Sequence, residues 1–76
     1  MSYVEFRTAD IQIAAFLITI GHPPGRIDGP RARRESVFDA AADASQFEYF
    51  SDSRLVSPRK LFGAYRDVKS ALFAIA

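Results

Sequence analysis

Residues 6–21, FRTADIQIAAFLITIG, decide the fold, because they combine the end of a strand with a short helix that must be buried. Thr8 is predicted to be the helix N-cap, since its hydroxyl can accept a hydrogen bond from a free backbone N–H. Asp10 then places a negative charge at the positive end of the helix dipole. Gly21 lets the chain turn left-handed and stop, and the two prolines that follow soon after prevent continuation. These signals predict a helix over 9–20.

This helix is apolar around most of its circumference, with only Gln12 and Thr19 forming a thin polar strip. It therefore has to be covered on two sides, by a sheet on one and by a second helix or a partner subunit on the other. The apolar run from Ile11 to Ile20 has about half the length that a bilayer requires, so we expect no membrane span. The short N-terminal segment also lacks the pattern of a signal peptide, and we expect a cytoplasmic protein.

Length and composition limit how this chain can be stabilised. Its 76 residues are predicted to form a single compact domain, 1–76. A domain of this size buries only about 60% of the surface that its unfolded chain exposes. The chain has no cysteine for disulfides or thiolate metal sites, and it has a single histidine, His22. Seven Phe and three Tyr are many for so small an interior, so we expect some aromatic side chains in an interface or binding site, and a homo-oligomer.

Charged residues are segregated along the chain although the net charge is only +1. Residues 22–34 carry a net +3, residues 35–52 a net −5, and residues 53–76 a net +4. The near-neutral total excludes a polycation built for indiscriminate binding of nucleic acid. The blocks can pair within the fold, between subunits or with ligands.

The remaining turn, capping and periodicity signals predict an α+β fold of the order β-α-β-β-α-α. Strands are expected near 3–7, 26–28 and 32–38, and the last two form a hairpin that closes near the turn Gly29-Pro30. On the third strand Arg31 and Arg33 are expected to point the same way.

Two further helices are expected after the hairpin. A short helix near 40–51, capped by Asp39, is either continuous or broken near Ser45. Residues 54–56 form an edge strand or an extended link. The dipeptide Ser57-Pro58 is a strong start for a helix over 58–74. That helix carries a single apolar seam, formed by Leu61, Tyr65, Val68, Leu72 and Ile75.

The order of several motifs resembles that of a family of short phage and bacterial proteins classified as a domain of unknown function. The motifs are Phe6-x-Thr8-x-Asp10, Val37-Phe38-Asp39, Ser57-Pro58-Arg59 and Arg66-x-x-Lys69-Ser70. The resemblance covers nearly the whole chain and implies a stand-alone domain from a mobile-element setting. It supplies no catalytic residues.

The strongest candidate site is a stripe on the last helix, made by Arg59, Phe62, Arg66, Lys69 and Phe73 beside the apolar seam. Cationic groups pair with phosphate, and an exposed aromatic ring can stack on a base. The alternative is that both phenylalanines widen the core face while the basic stems lie at its border.

Two other clusters of charged residues are candidate sites. The arginines around Gly29-Pro30 can grip an anion, or they protect an edge strand by charge or pair with the acidic block. The cluster consists of Arg26, Arg31, Arg33 and Arg34. The carboxylates of Asp39, Asp43 and Glu48 can hold a cation, but capping and solvation explain them more simply.

The residues predict no catalytic group, metal or cofactor, and an enzyme is not expected. The favoured function is binding of a phosphate-bearing ligand such as a nucleotide signal, which a phage protein could sequester. Its predicted contacts are Arg31, Arg33, Phe62, Tyr65, Arg66 and Lys69. One alternative is a small DNA- or RNA-binding regulator, whose affinity falls steeply with salt. Another is a protein-interaction module that docks on a host or phage protein or on itself.

Overall fold

The computed structural model describes residues 5–23, 25–51 and 54–74, with Arg31 described by its backbone alone. The elements in chain order are β1 (Phe6–Thr8), α1 (Ile11–Thr19), β2 (Ile27–Asp28), a 3-10 helix (Arg31–Arg33), β3 (Glu35–Phe38), α2 (Ala41–Ser51) and α3 (Pro58–Phe73). The predicted α+β class and the order of its main elements are confirmed. The first two residues of the predicted strand 3–7 lie outside the described residues.

The three strands form one antiparallel sheet in the order β1-β3-β2. Phe6 lies opposite Phe38, and Thr8 lies opposite Ser36. On the other edge of β3, Ile27 also pairs with Ser36. The predicted hairpin of the second and third strands is therefore present, and β3 is the central strand.

The third strand is shorter than the predicted range 32–38, since it begins only at Glu35. Pro30, with φ −67°, starts a 3-10 turn that the bond from Arg33 N–H to its carbonyl closes at 2.7 Å. The prediction that Arg31 and Arg33 share a strand face is wrong, because both residues belong to this turn.

Asp10, and not Thr8, is the N-cap of α1. The Asp10 carboxylate accepts hydrogen bonds from the backbone N–H groups of Gln12 at 2.8 Å and Ile13 at 3.2 Å. The Thr8 hydroxyl instead accepts from the N–H of Asp10 at 3.0 Å, which orients the cap. At the other end Gly21 adopts φ +111°, as the predicted left-handed stop requires.

The core lies where α1 meets the sheet and the other helices. Leu17 of α1 is completely buried and belongs to a cluster that includes Phe38, Ala42, Val68 and Leu72. α1 packs against both α2 and α3, and it therefore lies between them. The molecule is flat, with extents of 34 × 34 × 17 Å, and each of the three helices contacts the sheet.

α2 runs unbroken through Ser45, and residues 54–56 form a link without strand structure. α3 begins as predicted, with the Ser57 hydroxyl accepting from the N–H of Lys60 and with Pro58 in the first turn. Val68 and Leu72 of the predicted seam are buried, whereas Ile75 lies outside the described residues. None of the described helices is long and apolar enough to cross a bilayer.

Candidate functional site

A cleft opens between α2 and α3, with α1 as its floor. Its cavity has a volume of about 380 Å³, and we call it the aromatic cleft. Its lining residues are Gln12, Ala15, Tyr49, Leu61, Phe62 and Tyr65. Two of the predicted contact residues, Phe62 and Tyr65, thus share one concave site.

Tyr49 forms the α2 wall of the aromatic cleft and is held by three contacts. Its ring meets Phe16 edge-on at a centroid distance of 5.7 Å and Phe50 at 5.2 Å. Its hydroxyl donates to the side-chain oxygen of Gln12. Sequence reasoning missed Tyr49 as a site residue, because its role depends on Gln12 of α1, which lies 37 positions earlier in the chain. The polar Gln12 on an otherwise apolar helix was the one available signal.

The outer side of α3 carries the predicted stripe, and all its members are exposed. We call it the basic stripe. Its residues are Arg59, Phe62, Arg66, Lys69 and Phe73. Both phenylalanines have 69% of their surface exposed. The alternative in which they widen the core is therefore wrong for this chain on its own. Arg66 and Lys69 lie in solvent on the turns of α3 that follow Phe62.

The outer side of α2 carries a second exposed aromatic surface, which we call the acidic face. It consists of Asp43, Phe47 and Phe50, at helical spacings of four and three residues. Phe47 is 66% exposed and Phe50 is 65% exposed. Each side of the aromatic cleft thus ends in exposed phenylalanine rings.

The four arginines around Gly29-Pro30 do not form one anion site. Arg26 is paired with Glu5 at 2.9 Å and contacts Asp28 at 3.7 Å. Arg34 donates to the carbonyl oxygens of Leu72 at 3.2 Å and Ala74 at 2.6 Å, so it caps the end of α3. Arg33 is exposed, and the side chain of Arg31 lies outside the described part of the chain.

The predicted contact residues fall into separate groups. The bonds of Arg34 place the 3-10 helix beside the C-terminal end of α3, whereas Leu61 lines the aromatic cleft near its N-terminal end. Leu61 and Leu72 are eleven residues apart, which is about 16 Å along a helix. The structure therefore groups Phe62 and Tyr65 with the basic stripe and leaves Arg33 at the far end.

Hydrogen bonds and charge pairs lower the pKa values of two carboxyl groups beside the sheet. The hydrogen bond from Arg26 holds the pKa of Glu5 below its usual value. The backbone N–H of Gly29, followed by the guanidinium of Arg7, lowers the pKa of Asp28. Both carboxylates belong to ion pairs between the chain around β1 and the chain around β2, the two strands that flank β3, and neither carboxylate lines the aromatic cleft.

The remaining polar side chains offer little for chemistry. His22 and Ser45 lie 2.9 Å apart and join the end of α1 to α2. Asp43 accepts from Gln46 at 2.7 Å, and Glu48 pairs with Arg54 at 3.2 Å. Within residues 5–23, 25–51 and 54–74 there is no group of three His, Cys, Asp or Glu residues that could hold a metal ion.

No family model, curated protein or solved structure matches this chain.

Proposed function

We propose that this protein is a non-enzymatic protein-interaction module that docks through the helical side of the sheet. One observation carries the proposal. Four phenylalanine side chains are about two-thirds exposed on the two helices that flank the aromatic cleft. They are Phe47, Phe50, Phe62 and Phe73.

Leaving these exposed rings in water costs free energy. Burying apolar area contributes about 25 cal/mol per Å², and large aromatic rings are enriched in interfaces. A patch of exposed rings beside a concave, mostly apolar cleft is typical of a surface that another molecule covers. The charges of Arg66 and Lys69 next to the rings then orient the partner, since complementary potentials favour one docking geometry.

The experiment is site-specific photo-crosslinking in cells. Phe62 is replaced by p-benzoylphenylalanine, which keeps an aromatic ring at the lip of the aromatic cleft. The matched control carries the same group at Ala32, an exposed position in the 3-10 helix. We expect a protein adduct from position 62 and none from position 32. No adduct from position 62, or equal adducts from both, would overturn the proposal.

A second candidate function is binding of a planar, phosphate-bearing ligand such as a nucleotide signal. The specific observation in its favour is that Phe62 and Tyr65 line a cleft of about 380 Å³, within the size range of small-molecule sites. A base stacked there would leave its phosphates near Arg66 and Lys69. Sequestration of such a signal requires binding alone.

Native mass spectrometry of the protein purified without denaturation tests this candidate. We expect the wild type to retain added mass of nucleotide size, and the Arg66→Ala/Lys69→Ala variant to lose it. Arg33→Ala is the control, because Arg33 lies in the 3-10 helix, beside the end of α3 that is far from the aromatic cleft. Wild-type protein without added mass would contradict ligand binding.

A further inference from the structure

We infer that the partner of this surface is a second copy of the same chain, with α2 of each protomer packed along α3 of the other. The inference rests on the proposed function and names its partner. Three features of the molecule support it: charge, the arrangement of the exposed rings, and the order of the helices.

The two outer helices carry opposite charge. α2 has two carboxylates and no basic residue, a net −2, and one of the two, Glu48, is paired with Arg54 at 3.2 Å. The segment of α3, residues 58–74, has four basic residues and one carboxylate, a net +3. A twofold interface is self-complementary, so a contact between α2 and the partner's α3 occurs twice. Each occurrence pairs a negative helix with a positive one.

The exposed side chains of the acidic face and the basic stripe are also complementary. The acidic face presents Asp43 and two phenylalanines one helical turn apart. The basic stripe presents Phe62 with Arg66 and Lys69 on the following turns. When the two surfaces meet, ring packs on ring while the carboxylate faces the cations. A phenylalanine of the partner's acidic face then fills the aromatic cleft.

The order of the helices permits this arrangement. α1 lies between α2 and α3, so a twofold axis through the middle of the layer places α1 against α1. The thin polar strip of Gln12 and Thr19 then lies at the centre of the interface.

A charge-swap experiment tests the inference. One variant, Arg66→Glu/Lys69→Glu, makes α3 negative, and another, Asp43→Lys, reverses the charge on the acidic face. Each variant alone would bring like charges together twice, whereas a mixed dimer of the two would restore attraction at both contacts. Arg33→Glu is the control outside the interface. Mass is read by light scattering after size-exclusion chromatography, and circular dichroism verifies that each variant is folded.

We expect the wild type and Arg33→Glu to have twice the mass of one chain, each swapped variant to shift toward monomer, and their mixture to recover the dimer. A monomeric wild type, or a dimer that neither swap weakens, would overturn the inference. The photo-crosslinking result at position 62 shows whether only this inference fails or whether the proposed function fails as well. An adduct with a different protein overturns the second copy and keeps the module, whereas a monomer with no adduct overturns both.

Discussion

Asp10 holds the start of α1 by accepting two backbone hydrogen bonds, and its replacement tests the cap directly. We expect Asp10→Ala to lower the free energy of unfolding by about 1 kcal/mol, because both N–H groups lose their acceptor. Asp10→Asn is the control, since asparagine caps helices about as well as aspartate. Urea denaturation measures both variants. An equal loss in the two would show that the charge, and not the hydrogen bonds, matters.

Gly25 is a position where only glycine fits. A Cβ atom there would lie 1.5 Å from the carbonyl oxygen of Val37 and 2.7 Å from its carbonyl carbon, and both are backbone atoms that cannot rotate away. We expect Gly25→Ala to lower the free energy of unfolding by about 3 kcal/mol or more.

Gly63, inside α3, is the matched position for that substitution, because a Cβ atom there meets nothing within 4 Å. Gly63→Ala should raise the free energy of unfolding by about 0.5–1 kcal/mol, since alanine is the better helix former. Thermal or urea unfolding compares the two substitutions. An increase in the free energy of unfolding for both variants would contradict the close approach at Gly25.

Among the elements, α3 depends on a contact from the hairpin. Arg34 donates to two carbonyl oxygens at the C-terminal end of α3, where a positive charge also suits the helix dipole. We expect Arg34→Ala to speed amide hydrogen exchange in residues 70–73 and to cost about 1 kcal/mol of stability. Arg33→Ala, at the exposed neighbour, should leave exchange in this turn unchanged. Equal effects of the two variants would argue against a specific cap.

The ion pairs of Glu5 and Asp28, which link the chain around β1 to the chain around β2, should weaken in acid. The pKa values of Glu5 and Asp28 lie below their ordinary 4.5 and 3.8 in the folded protein, chiefly through Arg26 for Glu5 and the N–H of Gly29 for Asp28. Their contribution is therefore complete above those ordinary values and is lost as the pH falls through the folded values. The effect is small, because solvent screens exposed pairs.

Urea midpoints measured across the acid range test this dependence. The decline should be flatter in Glu5→Gln than in the wild type, and high salt should narrow the difference between the two proteins. Parallel declines at low salt would show that this carboxylate contributes nothing to the pH dependence.

At the scale of the whole molecule, the inferred dimer would link stability to protein concentration. A partner that binds only the folded state stabilises it by mass action. We expect the urea midpoint of the wild type to rise with protein concentration, and that of Arg66→Glu/Lys69→Glu to stay constant. A constant wild-type midpoint across the range would contradict a stable dimer.

Much of the architecture could be predicted because its signals are local. The pair Ser57-Pro58, the apolar seam of α3 and the stop at Gly21 each act within one or two helical turns, so the start of α3 and the end of α1 followed from neighbouring residues. Where local signals competed, the prediction was wrong. The alternation through residues 32–38 suggested one long strand, but Pro30 begins a 3-10 turn that holds the chain out of the sheet until Glu35.

The candidate site, too, could be predicted only where its signals are local. The amino-acid sequence by itself determined the α+β class, the helix-forming segments and the basic stripe, because each depends on propensity and on spacing along one element. Only the tertiary structure decided that Tyr49 meets Gln12, that Arg34 caps α3, and that the stripe borders an aromatic cleft far from Arg33. These contacts join residues 37 or more positions apart, or depend on which face of a helix its neighbours cover, and local chemistry does not encode that choice.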